Sequence, residues 1–154
     1  MTVERVSVML VEDNPDDVLL VRRAFARLGL LHPLTVLSDG EAAIDYLAGR
    51  GGFVDRGAHP LPAMILLDLK LPKVSGHEVL SWLRGREILR RIPVVILTTS
   101  DERSDVNRAY DLGANSYLRK PVSFDALIEL LTRLNVYWLT SNEPPDLAET
   151  KRSS

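Results

Sequence analysis

Five polar side chains in this sequence stand at or just past the ends of short apolar runs. Glu12 and Asp13 follow "VMLV", Asp68 follows "MILL", Thr98 follows "VVIL", and Lys120 comes shortly after "SYL", with Pro121 next. Brought together, they define a specific chemistry. Three carboxylates cannot lie close without a counter-charge, because one or more would be forced to take up a proton. A hard cation resolves the conflict, and oxygen ligands without cysteine or clustered histidine point to Mg2+ rather than zinc. A lysine and a hydroxyl on the same edge suit a phosphoryl group, which Mg2+ also bridges. A carboxylate can itself be the nucleophile and form an aspartyl-phosphate.

For these side chains to meet, the chain must return repeatedly to one edge. Five apolar runs can do so: Val6–Val11, Leu34–Leu37, Ala63–Leu67, Val94–Leu97 and Ser116–Leu118. Several are continuous and β-branched, the pattern of strands buried on both faces. Helix-period segments lie between them. Asn14 can cap a helix with Pro15 at its first position, running to Leu28 and stopped by Gly29. Ser38 and Glu41 have capping-box spacing before "AAIDYLAG", and Ser75 and Glu78 repeat it before "VLSWL". Asp101 or Ser104 can start "DVNRAYDL", which Gly113 ends, and Ser123 can start "FDALIELLTRLNVYWL". The order is β-α repeated five times. This predicts an α/β fold, a doubly wound five-stranded parallel sheet with helices on both faces. Ligands in such folds sit at the carboxyl ends of the strands, where the five polar residues fall.

The bulk composition sets the bounds. At 154 residues, 45% hydrophobic and 26% charged, the chain suits one soluble globular domain, expected over residues 1–140, with a polar, mobile tail over 141–154. A formal net charge of −2 gives no reason to expect nucleic acid or an anionic membrane as partner. The absence of cysteine removes disulfides, thiol catalysis and thiolate metal sites. No apolar run reaches the ~18 residues a membrane span needs, and the N-terminus lacks a signal-peptide pattern, so a cytoplasmic location is expected.

Other polar and aromatic residues have plainer readings. Asp16 and Asp17 fall in a first helical turn, where acids favour the helix dipole, and are read as structural. Trp82 and Trp138 sit at helical spacing with leucines and belong to core or interface. His32, His59 and His77 have no metal-ligand spacing. The glycines of "AGRGG" follow a helix, whereas a phosphate loop should follow a strand. The run "RGREILRR" (84–91) reads as a solvated connection, and Gly49–Pro62 as a long Gly-rich one.

The acid pair in "VEDN", then "LLDLKLPKVSG", "ILTTSD" and "YLRKP", in that order, resemble the receiver domain of two-component response regulators over about residues 4–140. Thr98 follows Asp68 by 30 positions and Lys120 follows Thr98 by 22, which agrees with that family and selects Thr98 over Thr99. The resemblance implies a flavodoxin-like sheet of strand order 2-1-3-4-5. It implies that Asp68 is phosphorylated by a sensor histidine kinase, and that Asp13, Asp68 and the Lys70 carbonyl bind Mg2+, with Glu12 acting mostly through a metal-bound water. Lys120 would pair with a phosphoryl oxygen, Thr98 would bond another once phosphate is present, and Tyr117 would be the aromatic switch. Pro121 stands where the family usually has a cis bond. The long 49–62 connection, the "EDNPDD" start and the "YWL" ending further resemble the single-domain regulators that partner bacterial phytochromes.

Three other functions compete. A Mg2+-dependent aspartyl-phosphate phosphatase would place a second acid two residues after the nucleophile, where this chain has Lys70. A receiver-like binding module that never takes up phosphate would not need the whole set. A DNA-binding regulator would need a recognition helix or basic domain after residue 140. A phosphoacceptor rather than an enzyme is therefore expected. Its signal would pass by association, through a homodimer built on helix four, strand five and helix five, and onward transfer to a phosphotransfer protein is left open. With Lys70 and Ser100 bordering the path of a hydrolytic water, slow self-dephosphorylation is expected.

Overall fold

The computed structural model describes residues 7–147. Five strands, β1 (Val8–Val11), β2 (Leu34–Leu37), β3 (Met64–Leu67), β4 (Val94–Thr98) and β5 (Ser116–Arg119), alternate with five helices. The helices are α1 (Pro15–Arg27), α2 (Gly40–Ala48), α3 (Gly76–Arg84), α4 (Arg103–Asp111) and α5 (Phe124–Val136). All strand pairs are parallel and the sheet order is β2-β1-β3-β4-β5, as expected.

The period of two along each strand divides the core. Val8 and Leu10 of β1, with Met64 and Leu66 of β3, face α1 and α5 through Val21, Phe25, Leu127 and Leu131. Met9 and Val11, with Ile65 and Leu67, face the other way, onto α2 and α3 through Tyr46, Leu47, Leu80 and Leu83. β1, β3 and β4 are buried along their whole length, which explains their unbroken apolar runs. Each fully buried Leu or Ile contributes about 1.5–3 kcal/mol relative to exposure.

The start and stop signals are met with three differences. Asn14 caps α1, the Ser75–Glu78 capping box forms at α3, and Ser123 caps α5. At α2 the cap is Asp39 rather than Ser38, its Oδ1 accepting from Ala42 N at 2.7 Å. Both residues are competent caps, and the anionic one also gains from the helix dipole. At α4 the cap position is Glu102, without a side-chain cap bond, rather than Asp101 or Ser104. α5 ends at Val136, and Tyr137–Ser141 continue as a π-helical turn.

Two connections carry more structure than their composition suggests. In the 49–62 segment, Arg56 caps the end of α2, donating from Nη1 to Tyr46 O (2.7 Å) and from Nη2 to Leu47 O (2.6 Å). Tyr46 packs against Phe53 and His59 and donates to Pro60 O. The 84–91 run is not merely solvated. Arg84 donates to Gly113 O, Arg90 O, Ile92 O and Asn115 Oδ1, at 2.8–2.9 Å. Of the expected tail, residues 142–147 lie along the body, with Asp146 O accepting from Arg91 and Leu147 packed on the core; residues 148–154 lie outside the described residues.

Candidate functional site at the carboxyl edge of the sheet

The sheet ladder runs on into the site. Glu12 N donates to Leu37 O (3.0 Å) and Asp68 N to Val11 O (3.1 Å), so the two acids stand side by side past β1 and β3. Lys120 N donates to Thr98 O (2.7 Å), which fixes the lysine beside the end of β4. The backbone behind Asp68 is pressed by α3. A Cβ added to Gly76 would collide with Asp68 O and lie 2.6 Å from Leu69 Cα. Only glycine lets the first turn of α3 approach so closely.

Four of the five polar residues converge by direct contact. Thr98 Oγ1 donates to Asp68 Oδ1 at 2.7 Å, and Lys120 Nζ donates to Asp68 Oδ2 at 2.8 Å. Lys120 Nζ also donates to Glu12 Oε1 at 2.8 Å. Glu12, Asp68 and Thr98 are buried, Lys120 half-buried, and Asp13 and Lys70 exposed at the rim. Thr98 has no solvent exposure whereas Thr99 is exposed. Lys70 N lies 3.3 Å from Asp68 Oδ1 and donates to it.

One expectation is corrected here. Asp17 does more than start a helix: its Oδ2 accepts from Lys120 Nζ at 2.9 Å. Asp16, one residue earlier, is exposed, with its backbone N–H on the Asn14 side chain. Thr98, expected to bond a phosphoryl oxygen once phosphate is present, here donates to Asp68 itself. Tyr117 likewise has an internal partner, donating to Ser100 O at 2.8 Å. Ser100 Oγ donates to Asp105 Oδ2 at 2.6 Å, linking the end of β4 to α4. The backbone contains no cis peptide bond among the described residues, so Lys120–Pro121 is trans.

The electrostatics follow from burial of unlike and like charges together. Burial pushes Glu12 up to about 8, helped by its hydrogen bond with Asp68 and the charge there, and opposed by Lys120. Burial also works against ionisation of Asp68, but hydrogen bonds with Glu12, Lys120 and Thr98 outweigh it and hold this carboxyl below its ordinary value. The site thus pushes the two acids apart, Glu12 toward its neutral form and Asp68 toward its anion. Burial opposes the charge on Lys120, yet Asp68, Glu12 and Asp17 raise its pKa.

Glu12, Asp13 and Asp68 each bring a carboxylate oxygen within 4.8 Å of the others. This all-oxygen donor set fits a hard divalent cation and not zinc. No helix among the described residues is long and apolar enough to cross a membrane.

Strand order and acidic edge together define a receiver domain. The chain belongs to the response regulator receiver domain family, whose sequence pattern matches residues 8–132. Within that family it is similar to phytochrome response regulators. The phosphorylated cyanobacterial phytochrome response regulator RcpA shares 34% identity, with a TM-score of 0.86 over 93% of this chain and 100% of that one. Response regulator Rcp1 of Synechocystis is 39% identical over 132 residues, 86% of this chain and 88% of its own. The Mn(2+)-bound form of Rcp1 superposes with a TM-score of 0.82 at 37% identity, over 92% of this chain and 99% of that one. The probable methanogenesis regulatory protein FilR2 of Methanothrix harundinacea is 49% identical over 138 residues, 90% of this chain and 86% of its own.

Proposed function

We propose that this receiver accepts a phosphoryl group on Asp68 from the phosphohistidine of a sensor histidine kinase, and that the modification switches its associations. The observation that carries the reading is Asp68 itself, a buried carboxylate held ionised with Thr98 and Lys120 on its two oxygens. An Asp68 oxygen forms the bond to phosphorus as the phosphorus–nitrogen bond of the donor breaks, the electron pair leaving with the imidazole. Lys120 places positive charge where negative charge gathers on the phosphoryl oxygens. Mg2+, held by Asp13, Asp68 and the Lys70 carbonyl with Glu12 assisting through water, would supply further neutralisation there. Thr98 then transfers its hydroxyl proton donation from Asp68 to a phosphoryl oxygen, and Tyr117 carries the change to the α4–β5 surface.

The likeness to the phytochrome response regulator RcpA supports a phytochrome kinase as donor. Lys70, exposed and cationic two residues after Asp68, supports a phosphoacceptor over a phosphatase with a second acid there. The test is labelling of purified protein by acetyl phosphate with Mg2+. Wild type is expected to gain a hydroxylamine-labile phosphate and Asp68→Asn none; persistent labelling of the variant sinks the assignment.

A further inference from the structure

We propose that Asp17 is a positioning residue for this phosphoryl transfer, one of two acidic side chains that hold the Lys120 ammonium over Asp68. The inference rests on the reading of Asp68 as the acceptor. An ammonium has three N–H groups, and all three are committed: to Glu12 Oε1 at 2.8 Å, Asp17 Oδ2 at 2.9 Å and Asp68 Oδ2 at 2.8 Å. The three acceptors come from three elements, namely the end of β1, the first turn of α1 and the end of β3. A lysine stem has four rotatable bonds, so a single contact leaves its head group free to swing. Two anchors fix it and aim the third N–H at the reacting carboxylate.

Asp17 is suited to that task. Its backbone is set by the Asn14 cap, by Pro15 at the first helical position, and by Val21, Ala24 and Phe25 packed on the sheet. Glu12 Oε1 also accepts from Asn14 N, whereas the side chain of Asp17 has Lys120 as its partner among the described contacts. During transfer Asp68 Oδ2 becomes bonded to phosphorus, and the N–H aimed at it meets the phosphoryl oxygens instead. With Glu12 and Asp17 holding Nζ, the ammonium need not reorganise at that moment.

Asp16 supplies the control. It occupies the same helical turn and feels the same dipole, yet it does not touch Lys120. Acetyl phosphate serves as the donor, its phosphorus–oxygen bond breaking as the Asp68 bond forms and the electron pair leaving with acetate. The rate of Asp68 labelling is expected to fall about tenfold in Asp17→Ala, the scale of one lost charge-assisted hydrogen bond, and to stay within about twofold in Asp16→Ala. Asp17→Asn, whose amide oxygen still accepts from Nζ, is expected to recover most of the loss. Independently of labelling, the Lys120 Nζ protons should be slow to exchange by 15N NMR in wild type and Asp16→Ala, and fast in Asp17→Ala. Equal rates and equal exchange in the two alanine variants overturn the proposal. If wild type does not label at all, the acceptor reading has failed, and the exchange measurement still decides whether Asp17 holds Lys120. Should Asp17→Ala not fold, Asp17→Glu carries the test: its longer reach is expected to lower the rate several-fold, and a wild-type rate overturns the proposal.

Discussion

Replacing Arg84 by methionine keeps the apolar stem and removes the guanidinium that joins the end of α3 to the connections before β4 and before β5. Its Nε meets Gly113 O after α4, its Nη1 meets Arg90 O and Ile92 O before β4, and its Nη2 meets Asn115 Oδ1 before β5. Asn115 Oδ1 also accepts from Val94 N, so the guanidinium supports the first residue of β4 at one remove. The bonds to Arg90 O and Asn115 are exposed, and water can replace them at little cost. Those to Gly113 O and Ile92 O are partly buried, and each carbonyl left without its donor costs roughly 1–1.5 kcal/mol. The expected loss is therefore about 2–3 kcal/mol. For a chain of this size that lowers Tm by roughly 5–10 °C. Urea unfolding followed by circular dichroism measures it, with an unchanged slope showing that the unfolded state is not altered. Arg84→Lys should fall between, since a point charge cannot span the fork. Mg2+ affinity should be unchanged, because Arg84 meets β4 at the edge opposite the acidic site. A loss below about 0.5 kcal/mol would refute the accounting, since a surface substitution away from any specific contact costs no more.

Three further outcomes are expected. Glu12 has a folded-state pKa near 8 against an ordinary 4.5, so its contribution to metal-free stability is complete below pH 4.5 and is lost as pH rises to about 8. Calorimetry in EDTA should show Tm falling across that window, while saturating Mg2+, expected to bind the ionised acids, should remove the fall; a metal-free Tm that rises instead would contradict the upward shift of Glu12. Ser100 is committed to Asp105 and Lys70 is cationic, so neither orients a hydrolytic water. Phosphate should therefore leave wild type more slowly than it leaves Lys70→Asn, and equal or faster decay in wild type counts against this. Tyr110 on α4 and Val136 and Tyr137 at the end of α5 are exposed, which supports a homodimer through α4, β5 and α5. Sedimentation equilibrium should give twice the chain mass for wild type and the chain mass for Tyr110→Glu, and a monomeric wild type with and without phosphorylation ends that idea.

Much of the site was legible because parallel topology turns sequence ends into one place. Glu12, Asp68 and Thr98 each terminate an unbroken apolar strand, so a polar residue there needs a reason, and the edge of the sheet supplies it. Asp17 was hidden for the opposite reason. An acid in a first helical turn already has a local explanation, and its contact with Lys120 spans 103 positions. Arg84 was masked by the charge run around it, although an arginine closing a helix that packs on a core is placed to reach backward into backbone carbonyls. The α2 cap was misplaced by one residue because Ser38 and Asp39 are both competent, and only the observed bond to Ala42 N separates them.

The hydroxyls of Thr98 and Tyr117, each held by a partner within the chain, bear on how a second protein would read the signal. Thr98 rests on the acceptor carboxylate and Tyr117 on the Ser100 carbonyl, from neighbouring strands. A partner that favours this arrangement of β4 and β5 would have it available without first inducing it. Linkage is reciprocal: if phosphorylation tightens that partner's binding by some factor, the partner must favour the phosphorylated state by the same factor. In that case the target would itself promote the phosphorylation, and measurements of phosphate uptake in isolation would underestimate the extent reached when the target is present.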